Sequence, residues 1–110
     1  DLLHARTDWI ARVSRRLQSC DAVLSPTVPL VAPPIRLLAP GAERDDAFFR
    51  VNGLLLRNTN VVNMLDGCAL SLPCHQAHAL PVGLMVWHGA YRDDVVLNIG
   101  RQIELLLQAG

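Results

Sequence analysis

Five side chains, Cys68, Cys74, His75, His78 and His88, are of the types that hold metals or attack carbonyls. Cys74-His75-x-x-His78 puts three of them within five residues. Structural zinc sites pair their ligands across two separate knuckles, and this cluster offers one. In an extended chain Cys74 and His75 also point to opposite faces. No metal and no cofactor is expected. A Cys/His nucleophile pair is open to Cys74 in chemical principle; the competing reading is a small packed thiol. Serine chemistry lacks a base. The four serines (14, 19, 25 and 71) are isolated, and the chain has no Lys. A hydroxyl is too weakly acidic to attack unless a base sits within hydrogen-bond reach. No catalytic residue is therefore assigned. Thr27, Thr59 and Asn63 are the polar residues suited to line or support a substrate pocket, and each is equally suited to cap a turn or satisfy a backbone group.

The elements that must position these residues follow from the apolar spacing. Leu3, Ile10, Val13, Leu17 and Cys20 share one helical face, with Trp9 beside them. The pattern is already helical at the first residue, and the chain does not begin with Met, which reads as a cut in or just before a helix. Residues 22–25 form a short buried strand that Pro26 ends. Five prolines (26, 29, 33, 34 and 40) then exclude a helix and predict an ordered, extended segment across the surface.

Asp45 and Asp46 offer capping oxygens and favourable charge at the start of a second helix. Its apolar residues run nearly all round, which predicts a largely buried helix. Several weak helix formers predict a break near residues 57–60. Asp66-Gly67 ends the helix, with Gly67 suited to positive φ. Two apolar strands follow, at residues 69–73 and 82–87, of the kind found in sheets covered on both faces. Asp93 and Asp94 open a last helix whose inner face carries Val95, Val96, Ile99, Ile103, Leu106 and Leu107. Gly100 in its middle predicts close packing on the sheet.

At 110 residues the chain is a single domain, 1–110, or a piece of a larger one. The formal charge is zero, and all ten basic residues are Arg. No Arg cluster alternates with aromatics, so nucleic acid is not an expected partner. Arg15-Arg16 reads as a solvated helix face. Three cysteines cannot all pair and suit a reducing cytoplasm. No signal-peptide pattern and no membrane-length apolar run is present. Half the residues are hydrophobic. That is more than so small a core can bury, and it hints at a missing partner surface.

Taken in order, these pieces resemble the C-terminal part of the amidase signature family. Asp21-Ala22-Val23-Leu24-Ser25-Pro26-Thr27-Val28-Pro29 is similar to its acidic residue, strand and Pro-Thr-x-Pro turn. Thr59 and Asn63 resemble its Thr-x-x-x-Asn helix. Leu70-Ser71-Leu72-Pro73-Cys74 and Leu80-Pro81-Val82-Gly83-Leu84-Met85 are similar to its paired strands, and Asp94 to Glu104 to its closing helix. The resemblance covers about nine-tenths of the chain.

There are departures. Asp66 and Cys68 stand where many members carry Gly and Pro, which looks closer to the allophanate hydrolase and unassigned amidase branches. His88-Gly89 stands where many have a Gly-rich turn. The resemblance implies an α/β fold, here a three-layer α/β/α piece with about three strands and three to four helices. It implies carboxamide hydrolysis by a Ser-Ser-Lys triad with a backbone oxyanion hole, and it places those parts upstream of this segment. The isolated chain is then expected to be inactive. Its partners would be the remainder of the amidase domain, a small amide substrate, or another copy of itself through self-association. The rivals are an A-type subunit of a glutamine-dependent aminoacyl-tRNA amidotransferase, and a non-catalytic binding or dimerisation module.

Overall fold

The computed structural model describes residues 1–40 and 44–110. Asp1 accepts a hydrogen bond from the Leu3 N–H (3.0 Å) and caps α1, Leu2–Leu17. Leu17 is buried, and Trp9, Ile10 and Val13 are half-buried, as their shared face predicts. Leu3, placed on the same face by its spacing, is exposed.

Strand β1 is Val23–Pro26, one residue later than expected. Pro26 fits because it ends an edge strand, where no ladder donor is needed. The segment that follows bends at residues 27–30, and it contains a single 3-10 turn, Ile35–Leu37. The five prolines predict no helix at all here. The turn forms because residues 35–39 contain none of them, and the Pro34 carbonyl accepts from the Leu37 N–H (3.1 Å).

Helix α2, Arg44–Met64, is continuous. The break expected near residues 57–60 is absent, since polar side chains there find partners without disturbing the backbone. Thr59 Oγ1 donates to the Leu56 carbonyl (3.3 Å). Asp45 and Asp46 lie in the first turn, where their charge complements the helix dipole, as expected. The helix is not largely buried: only Val51 and Val62 are fully covered among its described side chains, while Phe49 is 67% exposed.

The end of α2 differs instructively from expectation. Asp66, not Gly67, takes the left-handed conformation (φ 54°), which a short polar side chain tolerates. The Gly67 N–H donates to the Val62 carbonyl and the Asp66 N–H to Asn63, forming a Schellman closure. Gly67 is needed for space: a Cβ there would collide with the His88 carbonyl oxygen. Arg6 reaches from α1 to the same end. Its Nε donates to the Met64 carbonyl (3.1 Å), and its Nη2 pairs with Asp66 Oδ1 (2.7 Å).

Strands β2 (Cys68–Pro73) and β3 (Gly83–His88) complete an antiparallel sheet of order β1-β3-β2. Helix α3, Asp93–Ala109, packs on one face. There Leu72, Val86 and Val96 form the core, with Cys68, Leu70, Ile99 and Ile103 packed around them. Gly100 allows the approach: a Cβ would run into Leu70 Cδ2. Leu106 and Leu107, expected on the inner face, are 73% and 42% exposed, because the last turns of α3 run past the sheet edge.

Coverage of the sheet is staggered. On the α3 face β2 is covered and Leu24 of β1 is exposed. On the other face Val23 and Ser25 of β1 are half-buried, while Ala69 and Ser71 of β2 are exposed. Only the central strand is shielded on both sides, with Met85 and Val86 3% and 0% exposed. The fold is α/β, as expected; full cover on both faces is not seen within these residues.

Candidate functional site

The C-terminal ends of β1 and β2 and the start of β3 meet at one edge of the sheet, where the proline-rich segment and the β2–β3 turn both leave. Side chains alternate across a strand. Register therefore puts Ser25, Met85 and Ser71 in one row on the face opposite α3, with Gly83 and Pro73 in the next row. The Thr27 N–H extends the ladder by donating to the Gly83 carbonyl (2.9 Å), which sets Thr27 beside Gly83.

Thr27 and Ser71 belong to opposite sides of β3. Strands so separated lie roughly 9.5 Å apart, yet the two hydroxyls hydrogen-bond at 2.5 Å. The contact passes over Gly83. A Cβ there would lie 2.7 Å from Ser71 Oγ and 2.7 Å from Thr27 Oγ1. Gly83 is thus required for room and not for a left-handed backbone, since no described glycine has positive φ.

Helix α2 holds the same edge through Asn58, whose Nδ2 donates to the Pro26 carbonyl (2.9 Å). Asn58 Oδ1 accepts from Arg57 Nε (3.3 Å), which orients the amide. In the turn, the Cys74 N–H donates to the Val82 carbonyl (2.9 Å), and the Val82 N–H donates to His75 Nδ1 (3.3 Å). Cys74 Sγ points to the Val82 carbonyl (3.5 Å) and not to an imidazole. Beside the turn is a cleft of about 190 Å³ lined by Leu72, Pro73, Cys74, His75, Glu104 and Leu107.

Of the three pocket candidates, the structure brings Thr27 to this edge. Thr59 is turned to its own helix, bonding Leu56. Asn63 is exposed, further along α2 toward the opposite sheet edge. Ser71, Gly83 and Asn58 join Thr27 without having been singled out as a set. Their one sequence signal is the alternation that puts Ser71 on the same face as Thr27.

The set has defined chemical limits. Among the described residues, the hydrogen-bond partner of each of the Thr27 and Ser71 hydroxyls is the other hydroxyl. Among the described residues, no three His, Cys, Asp or Glu side chains converge to hold a metal ion. His88 is occupied structurally: Nδ1 accepts from the Gly89 N–H (2.8 Å), and Nε2 lies 3.2 Å from the carbonyls of both Leu17 and Cys20. No described helix is long and apolar enough to cross a membrane.

Comparison with known proteins adds a family. The family model described as Amidase matches residues 2–97. Indoleacetamide hydrolase of Allorhizobium ampelinum is 35% identical over 94 residues, 82% of this chain and 20% of that protein. The 2-amino-5-chloromuconic acid deaminase of Comamonas testosteroni is 32% identical over 101 residues, 91% of this chain and 21% of that protein. The A-type subunit of glutamyl-tRNA(Gln) amidotransferase from Natranaerobius thermophilus is 33% identical over 89 residues, 81% of this chain and 17% of that protein. The chain spans about a fifth of the length of these three relatives. No solved structure matches it significantly.

Proposed function

The chain belongs to the amidase family, and from that premise we propose that it is the scaffolding part of a carboxamide hydrolase whose Ser-Ser-Lys triad lies on preceding chain. The observation that carries this reading is a family match over residues 2–97 in a sequence without a single Lys. Membership supplies the reaction class; the missing base keeps the chemistry off these residues. The sheet edge at Thr27, Ser71 and Gly83 is the part turned toward the substrate. It offers uncharged hydroxyl and amide groups, which suit a neutral carboxamide better than a charged ligand.

The test compares two proteins. The full-length protein containing this chain should release ammonia from a simple carboxamide such as benzamide. Residues 1–110 alone should not. Turnover by pure 1–110, abolished by one substitution within it, would overturn the division of labour.

A second reading has its own support: the A-type subunits of glutamyl-tRNA(Gln) amidotransferase from several organisms are 33% identical to this chain. Copurification of the full-length protein with a further polypeptide, and glutaminase activity dependent on it, would favour that reading over a free amidase.

A further inference from the structure

We propose, resting on the reading above, that the Thr27–Ser71 pair closed over Gly83 is a positioning lock. It holds the proline-rich segment after β1 against strand β2, which leads into the β2–β3 turn, so that groups on the segment and the turn reach a carboxamide substrate as a unit.

Four observations carry it. The two segments leave the same sheet edge, and the pair ties the first residue after β1 to β2, two residues before that strand ends and the turn begins. Its partners, one just past the end of β1 and one on β2, flank the central strand and meet only because that strand has glycine at the crossing. The backbone on either side is tied into the same place: residue 27 donates to Gly83, and Cys74 and Val82 bond across the turn. The edge is also braced from α2, where Asn58 grips the Pro26 carbonyl and Arg57 fixes the Asn58 amide. Because both hydroxyls are neutral and no base is bonded to either, the pair serves geometry rather than proton transfer.

Losing one neutral hydrogen bond changes a local opening equilibrium by roughly three- to tenfold. The test uses the full-length protein with Thr27→Val, Ser71→Ala and, as the conservative variant, Thr27→Ser. Backbone amide exchange is read at residues 27, 74 and 82, with Leu65 and Val96 as controls bonded elsewhere. Thr27→Val and Ser71→Ala should each speed exchange at all three positions, by that factor, with the controls unchanged and Thr27→Ser near the parent. Acceleration on one segment only, or of the controls equally, overturns the lock.

Kinetics with benzamide then test the link to substrate. KM should rise about three- to tenfold in the two disrupting variants with kcat little changed, and Thr27→Ser should restore it. An unchanged KM overturns that link. A full-length protein with no amide turnover at all defeats the functional reading, while the exchange data still decide the lock.

Discussion

His88 shows how a chemically capable side chain can be committed to structure. Its ring ties the carbonyl of Leu17 at the end of α1, and that of Cys20 just beyond it, to the end of β3, and it is 8% exposed. Replacement with Ala strands buried carbonyls and the Gly89 N–H, so His88→Ala should lower unfolding stability by about 2 kcal/mol in chemical denaturation. Glycines give a sharper contrast. At Gly67 an added methyl meets a backbone carbonyl, whereas at Gly100 it meets the tip of a leucine side chain. Gly67→Ala should therefore cost about 2–3 kcal/mol, clearly more than Gly100→Ala, because a leucine can change rotamer and a strand carbonyl cannot move alone. Equal losses in parallel denaturant melts would count against that explanation. Thr27 is legible in the sequence because it sits in a recognisable Pro-Thr-x-Pro turn. Ser71 is not, because its partner is 44 residues away and the contact depends on a missing side chain between them. No local pattern encodes the absence of a Cβ as a meeting place.

At the scale of elements, α2 holds the clearest gap between reading and structure. Asn52, Asn58, Asn60 and Asn63 have modest helix propensity, which points to a break. The helix continues where Asn58 acts outward, donating to the Pro26 carbonyl and accepting from the neighbouring Arg57, without taking backbone partners from the helix. The strands are legible to within a residue, since apolar runs bounded by Pro and Gly leave little choice of register. Leu106 and Leu107 escape the sequence reading because periodicity marks an apolar face without saying how far its partner extends. Gly53 provides a direct test of α2. A Cβ there meets nothing within 4 Å, so Gly53→Ala should stabilise by about 0.5–1 kcal/mol through helix propensity and chain entropy, seen as a raised Tm. A lowered Tm would mean that this surface is already in contact.

The molecule as a whole is thin: 49 × 46 × 15 Å, with a radius of gyration of 16.8 Å. A compact chain of this length would have a radius of about 13 Å. Phe49, Val61, Leu97, Leu105 and Leu106 are each at least 40% exposed, spread over two helices. Residues 1–110 in isolation should consequently bind ANS and elute larger than a monomer in size exclusion. A non-associating monomer without ANS enhancement would contradict the scaffolding role. The surplus of apolar residues is visible in composition; its distribution over separate faces is not, because it depends on how the helices lie. The staggered cover of the sheet also carries a timetable. β2 and β3 are joined by residues 74–82 and pair as a hairpin, while β1 can reach β3 only after the proline-rich segment and the whole of α2 have been traversed. Closing that long loop is the slow step. A refolding chain should thus protect the β2–β3 amides first, and the edge where Thr27 meets Ser71 should be the last part of the sheet to assemble.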